Sequence, residues 1–91
     1  MVEVPAAALV ADRLLEHLDF LSVGINGLGQ YALAADRRHP RLADLLDPRQ
    51  PALLRLVAEC ARAGLAAGKP VGVCGEAAGD PAVAPLLVGL G

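Results

Sequence analysis

The apolar positions of this sequence fall into two patterns with different periods. Three short stretches, residues 1–4, 20–24 and 71–74, are apolar at nearly every position and end at a polar residue or a glycine. Continuous apolarity is typical of parallel strands that are covered on both faces, whereas alternation is typical of half-exposed strands. The first pattern therefore predicts three buried parallel strands.

The second pattern repeats apolar residues at the spacing of an amphipathic helix. It predicts helices at residues 5–18, 28–35, 52–67 and 81–88. Pro5 suits a first helical turn, where a missing N–H costs nothing, and Gly68 is a typical residue at a helix C-terminus. Asp80 is predicted to cap the last helix at its N-terminus.

The predicted strands and helices alternate along the chain in the order βαβαβα. Such alternation requires right-handed crossovers and a parallel sheet with helices outside it. Three strands are too few to close a barrel, and an open sheet of this size leaves two unprotected edges. The sequence thus predicts that residues 1–91 form an α/β segment of a larger domain. The exposed edges favour assembly of this chain into a homo-oligomer.

Polar side chains stand near the ends of all three predicted strands. They are Glu3, Asn26 and Cys74. Because the carboxyl ends of parallel strands carry the chemistry of α/β folds, a carboxylate, an amide and a thiol on one edge predict a functional site. A carboxylate in an apolar strand is also costly unless it is paired or binds a metal. The alternative interpretation is that these side chains only cap the loop entrances.

A glycine-rich turn, residues 24–29, follows the second predicted strand. It lacks the Gly-Lys-Ser/Thr ending of a P-loop and the spacing of a dinucleotide fingerprint. Backbone N–H groups in such a turn can still hold an anion, and Arg37, Arg38 and His39 could supply positive charge. The alternative is a solvated basic turn.

Composition and charge remove several classes of function. Hydrophobic residues make up 55% of the 91 residues and charged residues 20%, which excludes a disordered chain. The net charge of −2 argues against a nucleic-acid partner. No apolar run approaches the roughly 18 residues of a membrane span, and no basic region precedes the first apolar stretch, as a secretion signal requires. Cys60 and Cys74 are predicted to be free thiols in a reducing compartment, which favours the cytoplasm.

Five motifs run in order along the chain. They are Met1-Val-Glu-Val-Pro-Ala-Ala, Gly24-x-Asn-x-Leu-x-Gln-Tyr, Ala34-x-Asp-Arg, Asp47-Pro-x-x-Pro-Ala-x-Leu-Arg-Leu and Lys69-Pro-Val-Gly-Val-Cys-Gly-Glu-Ala-Ala-Gly-Asp-Pro. Together they resemble enzyme I of the bacterial sugar phosphotransferase system, the phosphoenolpyruvate–protein phosphotransferase. Pyruvate phosphate dikinase and phosphoenolpyruvate synthase share the barrel, but the last motif is closer to enzyme I. The resemblance covers essentially the whole chain and implies the later part of a (β/α)8 TIM barrel, about strands five to seven.

The resemblance also implies roles for individual residues. Glu3 falls on a magnesium-binding glutamate, so the implied cofactor is Mg²⁺. Asn26 and Arg37 fall on residues that contact the phosphate of phosphoenolpyruvate, and Gly27 lies in the same substrate-binding motif. Cys74 falls on the proton donor to the enolate carbon. A thiol with an ordinary pKa near 8.5 is a suitable weak acid for that step.

One motif departs from the family pattern. The family reads Gly-Thr-Asn-Asp-Leu-Thr-Gln-Tyr, whereas this chain has glycine at position 27 in place of the aspartate. The aspartate is the second magnesium ligand, and a single carboxylate holds Mg²⁺ only with help from substrate and water. Two hydroxyls of the pattern are missing as well, at Ile25 and Gly29. The sequence therefore predicts weak metal binding.

The parent family transfers the phosphoryl group of phosphoenolpyruvate to a histidine for sugar uptake, and its protein partner is the histidine phosphocarrier protein. The family's phosphorylatable histidine domain and early-strand arginines are not matched in this sequence, so the chain alone is expected to be inactive. The main alternative is a non-enzymatic oligomerising module derived from the barrel. A third interpretation is a phosphate-binding domain of unrelated purpose.

Overall fold

The fold was analysed in a computed structural model, which describes residues 1–36, 38–42 and 46–91. In chain order, the elements of this described part are α1 (Pro5–Leu9), α2 (Ala11–Leu15), β1 (Leu21–Gly24), α3 (Ile25–Ala32), α4 (Pro51–Ala67), β2 (Val71–Cys74), a 3-10 helix (Glu76–Gly79) and α5 (Ala84–Gly89).

The strands β1 and β2 pair in parallel over four residues each. Val2 adds a single parallel bridge on the other side of β1, opposite Val23. Its N–H donates to the Ser22 carbonyl at 2.7 Å, and its own carbonyl accepts from the N–H of Gly24 at 2.8 Å. Three extended stretches therefore lie side by side in chain order with β1 at the centre.

The strands predicted at residues 20–24 and 71–74 are confirmed, but the strand predicted at residues 1–4 is wrong in extent. Only the bridge at Val2 forms there, because α1 begins at Pro5 and uses the extended Val4 as its N-cap. The observed sheet is a mixed α/β arrangement with two parallel strands in the described part of the chain. It is consistent with part of a parallel barrel.

The helices cover one face of the sheet. Val2, Leu21 and Val23 are buried on that face, and α4 packs against both strands. A Cβ placed on Gly64 would overlap the side chain of Val71 and lie 2.8 Å from the carbonyl oxygen of Lys69. Glycine at this position thus lets α4 approach β2 closely.

The helix predicted over residues 5–18 is two short helices. Val10, with φ −114° and ψ 24°, ends α1 and precedes α2. The periodic pattern is only partly correct about burial: Ala11 and Leu15 face the core as predicted, whereas Val10 and Leu18 are 44% and 45% exposed. Periodicity reports which face is buried and does not detect a local break at a stiff β-branched residue. Lys69 donates from Nζ to the carbonyl of Leu15 and so satisfies the end of α2.

The other helices differ from the prediction in where they begin or end. α3 begins at Ile25, directly after β1, and ends at Ala32, three residues before the predicted bound at each end. The N-cap predicted at Asp80 is wrong: α5 begins at Ala84 with Val83 as its N-cap, because the Asp80 side chain accepts the N–H of Ala82 at 2.9 Å and holds a turn before the helix. The end of α4 was correctly predicted, since Gly68 takes the left-handed conformation with φ 66°.

In the described part of the chain, no helix is long and apolar enough to cross a bilayer. Cys60 and Cys74 are both free thiols. Cys60 is fully buried in α4, whereas Cys74 at the end of β2 is partly exposed.

Candidate functional site

The carboxyl ends of the strands border one cavity of about 580 Å³, which we call the strand-end cavity. Its lining residues are Met1, Glu3, Gly24, Asn26, Gly27, Gln30, Asp36, Arg38, Cys74 and Gly75. Four residues singled out from the sequence, Glu3, Asn26, Gly27 and Cys74, are thus brought together. Arg37, the arginine expected at the phosphate, lies outside the described residues.

Glu3 reaches the strand-end cavity because Gly24 leaves room for it. A Cβ placed on Gly24 would lie 2.9 Å from Glu3 Cγ. A Cβ placed on Gly27 would lie 3.5 Å from Glu3 Cβ and 3.7 Å from Glu3 Oε1. Gly24 therefore permits the close passage of Glu3 over the end of β1, and position 27 is an immediate neighbour of the Glu3 carboxylate.

Asn26 enters the cavity from the first turn of α3, which follows β1 without a loop. Gly75 has φ 112°, and a Cβ on it would lie 2.9 Å from Ile25 Cγ2 and 3.4 Å from Asn26 Oδ1. This left-handed glycine therefore lets the chain leaving Cys74 pass directly against Asn26. Asn26 and Arg38 also line an adjoining cavity of about 530 Å³.

The Cys74 sulfur lies on the sheet face that the helices leave open. The thiol donates to the carbonyl of Val23 at 3.5 Å, and the sulfur accepts from the hydroxyl of Ser22 at 3.5 Å. The thioether of Met1 is a second acceptor for the thiol at 3.9 Å. The sulfur is thereby held against β1 and faces the strand-end cavity.

The charged groups of the cavity are of both signs. Glu3 and Asp36 contribute carboxylates, and Arg38 contributes a guanidinium. The Oδ1 atom of Asp36 accepts the backbone N–H of Arg38 at 2.8 Å, which orders the turn that carries both residues. In the described lining, two carboxylates therefore stand with one guanidinium.

Gly27 leaves the neighbourhood of Glu3 without the carboxylate that the family pattern has at this position. Within the described ranges, no three His, Cys, Asp or Glu side chains are clustered for metal binding. The position beside Glu3, where a second carboxylate could act with it, is occupied by Gly27. Weak metal binding therefore stays a prediction.

The two cysteines differ in environment. Burial raises the pKa of the Cys60 thiol, and the nearby negative charge of Glu59 acts in the same direction. Cys60 therefore stays neutral and apolar within the core, as its position on the inner face of α4 predicts. Cys74 is the thiol that a ligand in the cavity can reach.

Sequence reasoning missed three groups near the cavity: Met1, Ser22 and Asp36. Ser22 could have been noticed as a polar residue inside an apolar strand. Met1 and Asp36 carried no such signal, because their positions depend on strand register and on the path of the loop after α3. Arg38 had been considered as a source of positive charge together with Arg37, and it does line the cavity.

Comparison with known proteins gives one consistent result. A family model described as PEP-utilising enzyme, PEP-binding domain, where PEP is phosphoenolpyruvate, matches residues 1–91. The chain is 56% identical to the phosphoenolpyruvate-protein phosphotransferase of Streptomyces coelicolor, 52% identical to that of Cupriavidus necator and 50% identical to that of Geobacillus stearothermophilus. Each match covers 100% of this chain and 16% of the relative. The resemblance predicted from the motifs is confirmed.

Proposed function

This chain belongs to the PEP-binding domain family of the PEP-utilising enzymes, and on that premise we propose that the strand-end cavity is one side of a phosphoenolpyruvate site. It is homologous to the C-terminal PEP-binding domain of enzyme I. The proposal is carried by one observation: Glu3, Asn26 and Cys74, distant in sequence, line one cavity at the carboxyl ends of parallel strands. We place the segment at about strands five to seven of a (β/α)8 barrel in a cytoplasmic protein.

The proposed roles follow from the chemistry of each group. The amide N–H of Asn26 donates to a phosphate oxygen, and Arg37 and Arg38 supply the positive charge that phosphoryl transfer requires. When the phosphoryl group leaves, an enolate remains. Cys74 then donates its proton to the enolate carbon and forms pyruvate. The acceptor is a histidine of the parent enzyme, which passes the phosphoryl group to the histidine phosphocarrier protein.

Magnesium is the cofactor implied by the family, but position 27, which neighbours Glu3, holds a glycine in place of the family's aspartate. We therefore propose that Glu3 binds the metal only weakly and that no step of this chain depends on it. Loss of one partner of a charged pair typically costs on the order of 2–5 kcal/mol. The isolated chain is proposed to be inactive and to lack millimolar or tighter magnesium-dependent binding of phosphoenolpyruvate.

The test is a chimera in which residues 1–91 replace the matching segment of the Streptomyces coelicolor relative. Transfer of phosphate from phosphoenolpyruvate to the histidine phosphocarrier protein is measured in the chimera that also carries Gly27→Asp. On this background we expect Asn26→Ala and Cys74→Ala each to lower activity by about a hundredfold, which corresponds to about 3 kcal/mol. Arg62→Ala is the control, because Arg62 lies on the exposed side of α4, where it pairs with Glu59. Unchanged activity in the Asn26 and Cys74 variants would contradict the proposal.

A second candidate function is a non-enzymatic oligomerising module. It is favoured by the exposed apolar side chains of Leu65 and Val88, which are 71% and 78% exposed. In the described part of the chain, β2 also pairs on one side only. Sedimentation gives the mass of the chain in solution. A stable oligomer together with an inactive chimera would favour this second function, and a monomer would exclude it.

A further inference from the structure

Ser22 is the residue from which we draw a further inference. It lies in β1 opposite Gly72 of β2, and Cys74 lies two residues further along β2. Side chains at alternate positions of a strand point to the same face. Ser22 and Cys74 are therefore diagonal neighbours on the face that the helices leave open. The hydroxyl of Ser22 reaches the sulfur of Cys74 at 3.5 Å.

The hydrogen-bond partners of Cys74 are of two kinds: some can interact only with the protonated thiol, and one can also interact with the thiolate. The carbonyl of Val23 and the thioether of Met1 are acceptors, so they can interact favourably only with a protonated thiol. The hydroxyl of Ser22 donates to the sulfur, and such a donor interacts most strongly with a thiolate. The structure thus provides partners for the thiol and a separate partner for the anion that remains when its proton leaves.

We propose that Ser22 is a positioning residue for Cys74, which holds the sulfur towards the strand-end cavity and stabilises its thiolate. The catalytic part of this inference rests on the proposed function, in which Cys74 is the proton donor. In the step concerned, the S–H bond of Cys74 breaks and a C–H bond forms at the enolate carbon. The sulfur keeps the electron pair and the negative charge, accepts the Ser22 hydrogen bond, and later recovers a proton from water.

The contact is tested by the rate at which iodoacetamide alkylates Cys74 in the 91-residue chain, because the thiolate is the reacting form. Peptide mass mapping separates this reaction from that of Cys60, which is buried. Ser22→Ala is expected to slow alkylation about three- to tenfold, the range that loss of one ordinary hydrogen bond implies. Gly72→Ala is the control, since a methyl group there would meet nothing within 4 Å, and it should leave the rate unchanged.

In a second pair of variants, the two side chains at position 22 have nearly the same shape. Ser22→Thr and Ser22→Val are both β-branched and suit a strand, but only threonine keeps the hydroxyl. Alkylation in Ser22→Thr should match the parent chain within about twofold, while Ser22→Val should be slowed as Ser22→Ala is. Equal rates for the threonine and valine variants would overturn the proposal. Because this assay needs no phosphoenolpyruvate, a hydroxyl-dependent rate without catalytic activity in the chimera would support the Ser22 contact and count against the proposed function.

Discussion

One face of the short sheet presents Val2, Leu21 and Val23, which are buried beneath the helices. The other face presents Ser22 and Cys74, and Cys74 lines the strand-end cavity. The side chains of the covered face are apolar, and burial of their surface away from water stabilises the fold. The open face is formed by small or polar residues that contribute little to that burial. Alternate residues of the same strands therefore serve different ends: those on the covered face stabilise the fold, and those on the open face line or adjoin the candidate site. We expect that substitutions on one face can leave the property of the other face unchanged.

The largest expected effect is on the covered side. Leu15 in α2 is 1% exposed, and Leu15→Ala should lower the free energy of unfolding by about 2–5 kcal/mol because it leaves a cavity. Leu65→Ala is the matched control, since Leu65 is 71% exposed in α4. Urea unfolding followed by circular dichroism gives both values. Similar losses in the two variants would contradict the assignment of the core.

Two glycines allow the two faces of the sheet to be compared: Gly64 of α4, which packs on the covered face, and Gly72 of β2, which lies on the open face. Gly64→Ala should destabilise the chain by about 1–3 kcal/mol, because the added methyl group overlaps Val71 and approaches the Lys69 carbonyl. Gly72→Ala lies on the open face with nothing within 4 Å and should be neutral or stabilising by up to about 1 kcal/mol. Thermal unfolding of the two variants measures the difference. A stabilising Gly64→Ala would show that α4 is not closely packed on β2.

A smaller effect is expected from pH at Cys60. Burial raises the pKa of this thiol above its ordinary value of about 8.5, so the unfolded chain loses the thiol proton at lower pH than the folded chain. The contribution of the neutral thiol to stability is therefore complete well below about pH 8.5 and decreases as the pH rises through and above that value. The difference in unfolding free energy between the parent chain and Cys60→Ala should shrink over that range. A difference that is independent of pH would contradict the burial of this thiol.

The sequence was most informative where a single interaction decides the structure. Continuous apolarity located β1 and β2, and Gly68 located the end of α4. It was least informative where two signals compete: the apolar start of the chain could not extend as a strand because Pro5 begins a helix there. The break at Val10 was also missed, since the apolar period continues through it.

The candidate site was predictable in part for a physical reason. Parallel strands place their carboxyl ends at one edge, so the order of strands along the chain is enough to predict that Glu3, Asn26 and Cys74 lie together. The partners of Cys74 could not be predicted, because Ser22 and Met1 depend on strand register. The position of Asp36 in the lining of the cavity could not be predicted either, because it depends on the path of the loop after α3. The roles of these residues in catalysis remain predictions.

The most direct test of the central claim is the affinity of the Streptomyces coelicolor chimera for phosphoenolpyruvate, measured by calorimetric titration in excess Mg²⁺ with and without Gly27→Asp. An aspartate at position 27 would stand beside the Glu3 carboxylate and complete a pair of hard oxygen ligands. We expect Gly27→Asp to bind phosphoenolpyruvate at least about tenfold more tightly, a gain of about 1.4 kcal/mol, and the isolated chain to show no millimolar binding. Equal affinities of the two chimeras, or tight binding by the unmodified isolated chain, would contradict the account.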